Sequence, residues 1–296
     1  MEVSPRKQLP GHIASALAGA GGSTDSAGQP WHGRTLPDGG TYHNFDADDG
    51  TADPSYTGAV ERLLAGTGAE EEVVAALAQA RVFIPIVAQL AEQTVGENGL
   101  VSDKESDMAL VTLQAPDGRR ALPAFTRADA LTRWHPEARP VAVYAARAAL
   151  SAVSEDAQLM VLDPGSARPF VVRRPAMWAL AQQREWLPSY VDPAVRQVLE
   201  DSVAAVGNPA VLRIAAEAGP GVESLWDSGS SPAGHMVAGG GAGPELAVSI
   251  TLAPGLDQSA LNALLHALQG YWAGNEHFAQ AVDSMQVRLH HPGPTP

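Results

Sequence analysis

Three carboxylates at alternate positions, Asp103, Glu105 and Asp107, are the residues best placed for acid–base chemistry. They come immediately before a predicted strand. Two neighbouring carboxylates can divide the roles of general acid and general base between them when they converge in a pocket that raises one pKa. The pattern therefore keeps one catalytic hypothesis open, a hydrolase or transferase that uses a carboxylate pair.

Two tryptophans, Trp178 and Trp186, are the second candidate feature. They lie eight positions apart, about two turns along a helix that we predict to begin at Pro175 and to run toward Trp186. Tryptophans anchor cores and domain contacts, and they also form hot spots for protein partners. We expect at least one of them at an internal domain contact or a protein interface, and we count both, with the three carboxylates, as candidate binding residues.

The acidic run Asp46, Asp48, Asp49 and Asp53 resembles a site for a hard cation, which needs several oxygen ligands in one loop. The spacing does not fit a calcium loop. If Asp46 takes the first position, the glycine falls at the fifth and Thr57 stands where a bidentate glutamate belongs. The run instead predicts an acidic linker that caps a helix.

Other catalytic motifs are missing from the sequence, which holds no cysteine, no His-Glu-x-x-His, no Gly-x-Ser-x-Gly and no Gly-Lys-Ser/Thr. The adjacent His290 and His291 would point to opposite faces of a strand and so cannot readily bind one metal ion. We therefore expect neither a metal site nor a cofactor.

Two arginine pairs, Arg119-Arg120 and Arg173-Arg174, flank predicted hairpin strands and could clamp an anion. Arginine outnumbers lysine 17 to 2 in the whole chain, however. Coding bias alone would account for the pairs, and the sequence favours that interpretation.

The elements that must position these residues begin after a leader. Residues 1–52 are rich in Gly, Ser, Pro and Asp without helical or strand periodicity, which predicts a flexible leader. Trp31, Tyr42 and Phe45 are too apolar for a plain linker. We predict that they hold the leader against the folded body, with a partner-binding peptide as the alternative.

The pattern of residues 53–190 predicts one α+β domain. Helices begin at the Asp53-Pro54 cap and at the glutamates from position 70. Further apolar patterns predict strands over 82–90, 108–113, 120–125 and 140–144, helices over 126–135 and 145–154, and a hairpin of strands 159–162 and 170–172.

The pattern of residues 191–290 predicts a second domain, followed by a tail over 291–296. Asp192-Pro193 begins a helix that ends at Gly207, and Asp257 caps another. Strands are predicted over 211–215, over 246–252 and around the alternating apolar residues 285, 287 and 289. The fold class is therefore α+β, with two small domains, each a mainly antiparallel or mixed sheet with helices packed on one face.

Three segments carry a family resemblance: 46–54 (DADDGTADP), 105–113 (ESDMALVTL) and 174–181 (RPAMWALA). Together they resemble the actinobacterial branch of the SseB family, and the likeness extends from about Trp31 to His290. The resemblance implies an SseB-type N-terminal domain, a smaller SseB-type C-terminal domain and a cytoplasmic protein linked by name to enhanced serine sensitivity. It supplies no catalytic signature.

Composition argues against two classes of binding partner and against a membrane span. The 296 residues carry a net charge of −14 with two lysines, so nucleic acids and anionic membranes are disfavoured partners. No apolar run approaches the length of a membrane span. The sequence predicts a non-catalytic cytoplasmic binding or regulatory protein. Its partner would be a protein, a second copy of the chain or a small metabolite that the sequence does not identify.

Overall fold

The computed structural model describes residues 45, 48–90, 106–115, 118–226, 235–238 and 243–292, without the side chains of 88–90, 106–108, 223–226 and 235–238. The helices of the described part are α1 Pro54–Leu64, α2 Glu70–Gln79, α3 Ala128–Trp134, α4 Ala145–Ser154, α5 Arg174–Ala181, α6 Pro193–Val206, α7 Gln258–Gly274 and α8 Glu276–Ala281. Its strands are β1 Arg81–Leu90, β2 Ser106–Leu110, β3 Leu113–Gln114, β4 Arg120–Ala124, β5 Arg139–Tyr144, β6 Leu159–Leu162, β7 Phe170–Val172, β8 Val211–Ala218, β9 Glu223–Trp226, β10 His235–Ala238, β11 Leu246–Leu252 and β12 Met285–His290.

The first α+β unit, which we call the N-terminal unit, contains α1 to α5 and two sheets. One sheet is antiparallel in the order β2-β1-β5, and the other is mixed in the order β3-β4-β6-β7. Paired backbone hydrogen bonds between Phe83 and Phe125 join the sheets. The main core lies between the sheets and α1, α2, α4 and α5, while α3 packs with both phenylalanines on the opposite face.

The second unit, the C-terminal unit, contains α6 to α8 and a mixed sheet in the order β12-β11-β8. β11 and β12 run parallel, so α7 and α8 form the crossover between them. Alternate apolar residues of β11 face α6, α7 and α8 and form a second core that includes Trp272 and Phe278. The predicted α+β class with mixed and antiparallel sheets is confirmed.

The predicted helix caps are confirmed at atomic level. The carboxylate of Asp53 accepts hydrogen bonds from the backbone N–H groups of Ser55 and Tyr56. Asp192 and Asp257 cap α6 and α7 in the same way. Gly207 ends α6 in the left-handed conformation, with φ 64°, which glycine adopts without steric cost.

Two predicted elements were wrong in their extent. The strand predicted over 108–113 is two short strands, since β2 pairs with β1 and β3 pairs with β4 in the other sheet. The helix predicted to run toward Trp186 ends at Ala181, and Gln183 then takes a left-handed φ of 55°. In both cases the apolar pattern continues through a point where the chain changes direction.

The acidic run has structural roles in its described part. Both carboxylate oxygens of Asp48 accept hydrogen bonds from Arg81, at 2.7 Å each. Asp49 accepts from the backbone and hydroxyl of Thr51, and Phe45 packs on Tyr144 with ring centroids 5.0 Å apart. These contacts hold the chain before α1 against the sheet. Asp46, Trp31 and Tyr42 lie outside the described residues.

None of the helices in the described ranges is long and apolar enough to cross a membrane.

Candidate functional site

The predicted site residues are spread over separate parts of the chain. Asp103 and Glu105 lie outside the described residues, and Asp107 is described only through its backbone, which pairs with Gln89 across β1 and β2. Convergence of the three carboxylates therefore stays a prediction.

The two tryptophans lie in different environments. Trp178, on α5, is 48% exposed. Trp186 follows the helix and packs against the N-terminal core, with its indole N–H buried and unbonded within the described part of the chain. Their role in binding stays a prediction.

A buried charged group joins the two units, and its centre is Asp283. The Asp283 side chain is 2% exposed, and its Oδ2 accepts hydrogen bonds from Arg119 at 2.8 Å and Arg173 at 3.3 Å. Arg173, itself 4% exposed, also donates to the backbone oxygen of Gly221 at 2.6 Å. An ion pair this deeply buried needs further hydrogen bonds, and the backbone oxygen of Gly221 and the Arg119 guanidinium supply two of them.

Glu245 lies beside this ion pair and is almost fully buried. Its Oε1 accepts hydrogen bonds from the N–H and hydroxyl of Ser189, and its Oε2 accepts from the N–H of Asp283. Burial raises the pKa of Glu245 above its ordinary value of 4.5, against the lowering effect of these hydrogen bonds. We call Arg119, Arg173, Ser189, Glu245 and Asp283 the junction cluster.

The raised pKa of Glu245 predicts a pH effect on stability. Above pH 4.5 and up to its raised pKa, the native state holds a proton that the unfolded chain has released, so stability from this group falls as pH rises. Urea unfolding across this interval should give the wild type a more negative slope of unfolding free energy against pH than Glu245→Gln. Parallel curves for the two proteins would contradict the assignment.

A cleft of about 440 Å³ opens next to the junction cluster. Its floor and walls are mainly apolar and come from α7, α8 and β12. They include Trp272 and Phe278, whose rings stack with centroids 6.0 Å apart. Its polar lining comes from Arg174, Gln269, Asp283 and Ser284. We call this space the junction cleft, because Arg174 belongs to the N-terminal unit.

Two of the four polar residues of the cleft, Asp283 and Ser284, are bonded to other side chains. Ser284 Oγ accepts from the N–H of Glu245 and donates to Asp283. Arg174 is exposed and donates from one nitrogen to the backbone oxygen of Val282 at 3.2 Å. Within the described residues it contacts no carboxylate, so its charge is available at the mouth of the cleft.

The two arginine pairs were a sequence signal for this site, but the high arginine content of the whole chain made them look unspecific. One arginine of each pair, Arg119 and Arg173, does clamp an anion, and that anion is the protein's own Asp283. The interpretation by coding bias therefore missed a specific role. Asp283 and Glu245 belong to no motif, and no sequence signal pointed to them.

No metal centre is formed by the part of the chain that the structure describes, since no three His, Cys, Asp or Glu side chains converge there.

The fold and the cleft together place the chain in a class of protein: two α+β units with a ligand-sized cavity where the units meet. Residues 57–179 match the SseB protein N-terminal domain, from α1 into α5. The N-terminal unit therefore contains an SseB-type N-terminal domain, as predicted. No curated protein and no solved structure matches the chain.

Proposed function

We propose that this chain is a non-catalytic cytoplasmic binding and regulatory protein, with its ligand site in the junction cleft and with an SseB-type domain in each unit. The lining of the cleft carries the proposal. Small-molecule sites are typically concave, mostly apolar cavities of about 300–1,000 Å³ with a few polar groups, and the junction cleft has these properties.

The bonding of the polar groups supports binding over catalysis. Asp283 and Glu245 are held by arginine, serine and backbone donors, and Ser284 donates to a carboxylate that arginines already occupy. The carboxylate that Ser284 contacts is already ion-paired with Arg119 and Arg173, so it is not available as a general base. The carboxylate-pair hypothesis rests on Asp103, Glu105 and Asp107 alone.

The position of the cleft supports regulation. Asp283 and Val282 belong both to its lining and to the contacts between the units. A ligand with different affinities for two arrangements of these contacts would shift their populations. We propose a protein, or a second copy of the chain, as the partner that detects this shift, and the exposed Trp178 as part of its contact surface.

The test is to fill the cleft. Ala279 is exposed and lines it, so Ala279→Trp places a large side chain in the cleft without disturbing either core. In a thermal-shift screen against small metabolites, we expect compounds that stabilise the wild type to lose their effect on this variant. A compound at about 100 times its Kd contributes about 2.7 kcal/mol.

Ala263→Trp is the matched control, because Ala263 is an exposed residue of α7 outside the cleft lining. It should keep the response of the wild type. If every stabilising compound acts equally on both variants, the cleft is not the ligand site.

A further inference from the structure

We propose that the junction cleft binds molecules with an apolar body and a single carboxylate, with the carboxylate paired to Arg174. This inference rests on the proposed function and specifies the class of ligand. It follows from three properties of the cleft: its apolar interior, the available charge at its mouth and the neutralised acid in its wall.

The apolar interior selects the body of the ligand. Trp272, Phe278 and Val282 are buried in the C-terminal core and still form part of the cleft, and Met285 and Val287 of β12 complete the wall. An apolar group that packs against this wall removes its own surface from water, which is worth about 25 cal/mol per Å². A wholly polar ligand would gain nothing from this interior.

The charge at the mouth selects the head group. One nitrogen of the Arg174 guanidinium donates to the backbone oxygen of Val282. No carboxylate in the described residues contacts its other N–H groups. Its planar donors match the two oxygens of a carboxylate. Gln269, also in the lining, adds a neutral amide and no competing charge.

The acid in the wall does not cancel this preference. Asp283 lines the cleft, but Arg119 and Arg173 both contact its carboxylate, and Ser284 donates to it as well. Glu245 is turned toward Ser189 and the backbone of Asp283. The two acids equal Arg119 and Arg173 in number, so Arg174 adds a positive charge to the lining of the cleft.

The experiment uses three linear eight-carbon probes that differ in their head group: octanoate, octanol and octylammonium. Their binding to the full chain is measured by isothermal titration calorimetry. We expect octanoate to bind about tenfold more tightly than octanol, the gain of a charge-assisted hydrogen bond, and octylammonium to bind least. Arg174→Gln should remove the tenfold gain and leave octanoate equal to octanol. Arg184→Gln, which changes an exposed arginine outside the cleft, should keep the gain.

Ala279→Trp should abolish the binding of octanoate. Equal binding of all three probes, or a preference for octanoate that survives Arg174→Gln, would overturn the ligand class and leave the cleft as a binding site. Octanoate binding that survives Ala279→Trp would place the probe elsewhere and overturn the inference as well. If no probe binds, the inference is wrong, while the metabolite screen still decides the proposed function independently.

Discussion

Replacing Arg173 with methionine should lower the free energy of unfolding by about 3 kcal/mol, at the lower end of the range for one partner removed from a buried ion pair. Arg173 contacts Asp283 and the backbone oxygen of Gly221, and both arginine and aspartate are almost fully buried. Methionine fills similar space but leaves both acceptors short of a donor. Arg119 still contacts Asp283, which keeps the loss from being larger. Urea unfolding measures the effect.

The control is Arg184→Met, an exposed arginine for which we expect a change within about 0.5 kcal/mol. The double variant Arg173→Met/Asp283→Leu removes the buried carboxylate as well. It should be more stable than Arg173→Met alone, because a buried carboxylate whose one remaining arginine partner, Arg119, is partly exposed is gone. A loss below about 0.5 kcal/mol for Arg173→Met would mean that the ion pair does not stabilise the junction.

Replacing Gly219 with alanine should cost about 3 kcal/mol, the upper end of the usual cost of overpacking. A Cβ at this position would overlap the backbone oxygen of Pro244 and lie 2.7 Å from that of Glu245. Gly219 also donates its N–H to Glu245 at 2.6 Å. The backbone of Glu245 must therefore move, and its carboxylate carries the hydrogen bonds to Ser189 and Asp283.

Gly270→Ala is the matched control, and its expected effect on the free energy of unfolding has the opposite sign. Gly270 lies within α7, and a Cβ there would meet nothing within 4 Å. Alanine should stabilise this helix by about 0.5–1 kcal/mol, because glycine loses more backbone entropy on folding. The two variants carry the same chemical change, so denaturant midpoints that move together would contradict the steric argument for Gly219.

The elements that the sequence predicted well are those with local signals. Asp53 and Asp192 each precede a proline and cap a helix, and Gly207 ends one where the sequence placed its stop. The hairpin of β6 and β7 follows from two apolar runs around a turn. Such signals act within a few residues, so they can be recognised without knowledge of the fold.

The candidate site could not be predicted because its contacts are not local. Arg119 and Asp283 are 164 positions apart, and Glu245 and Ser189 are 56 apart. Nothing in the surrounding residues of Asp283 distinguishes it from the other acids of a chain with 33 of them. The split of residues 108–113 between two sheets has the same origin, since the partners of β2 and β3 decide it and the strand pattern does not.

The distance along the chain between Arg173 and Asp283 also bears on biosynthesis. The two are 110 residues apart, and a ribosome adds about 5–20 residues per second, so Arg173 is made roughly 6–20 s before its partner. During that interval the N-terminal unit holds an arginine whose buried counter-charge does not yet exist. The contacts around Asp283 can therefore form only after Asp283 itself has been synthesised. Nascent chains that stop short of that position would remain open at this surface and exposed to proteases and chaperones.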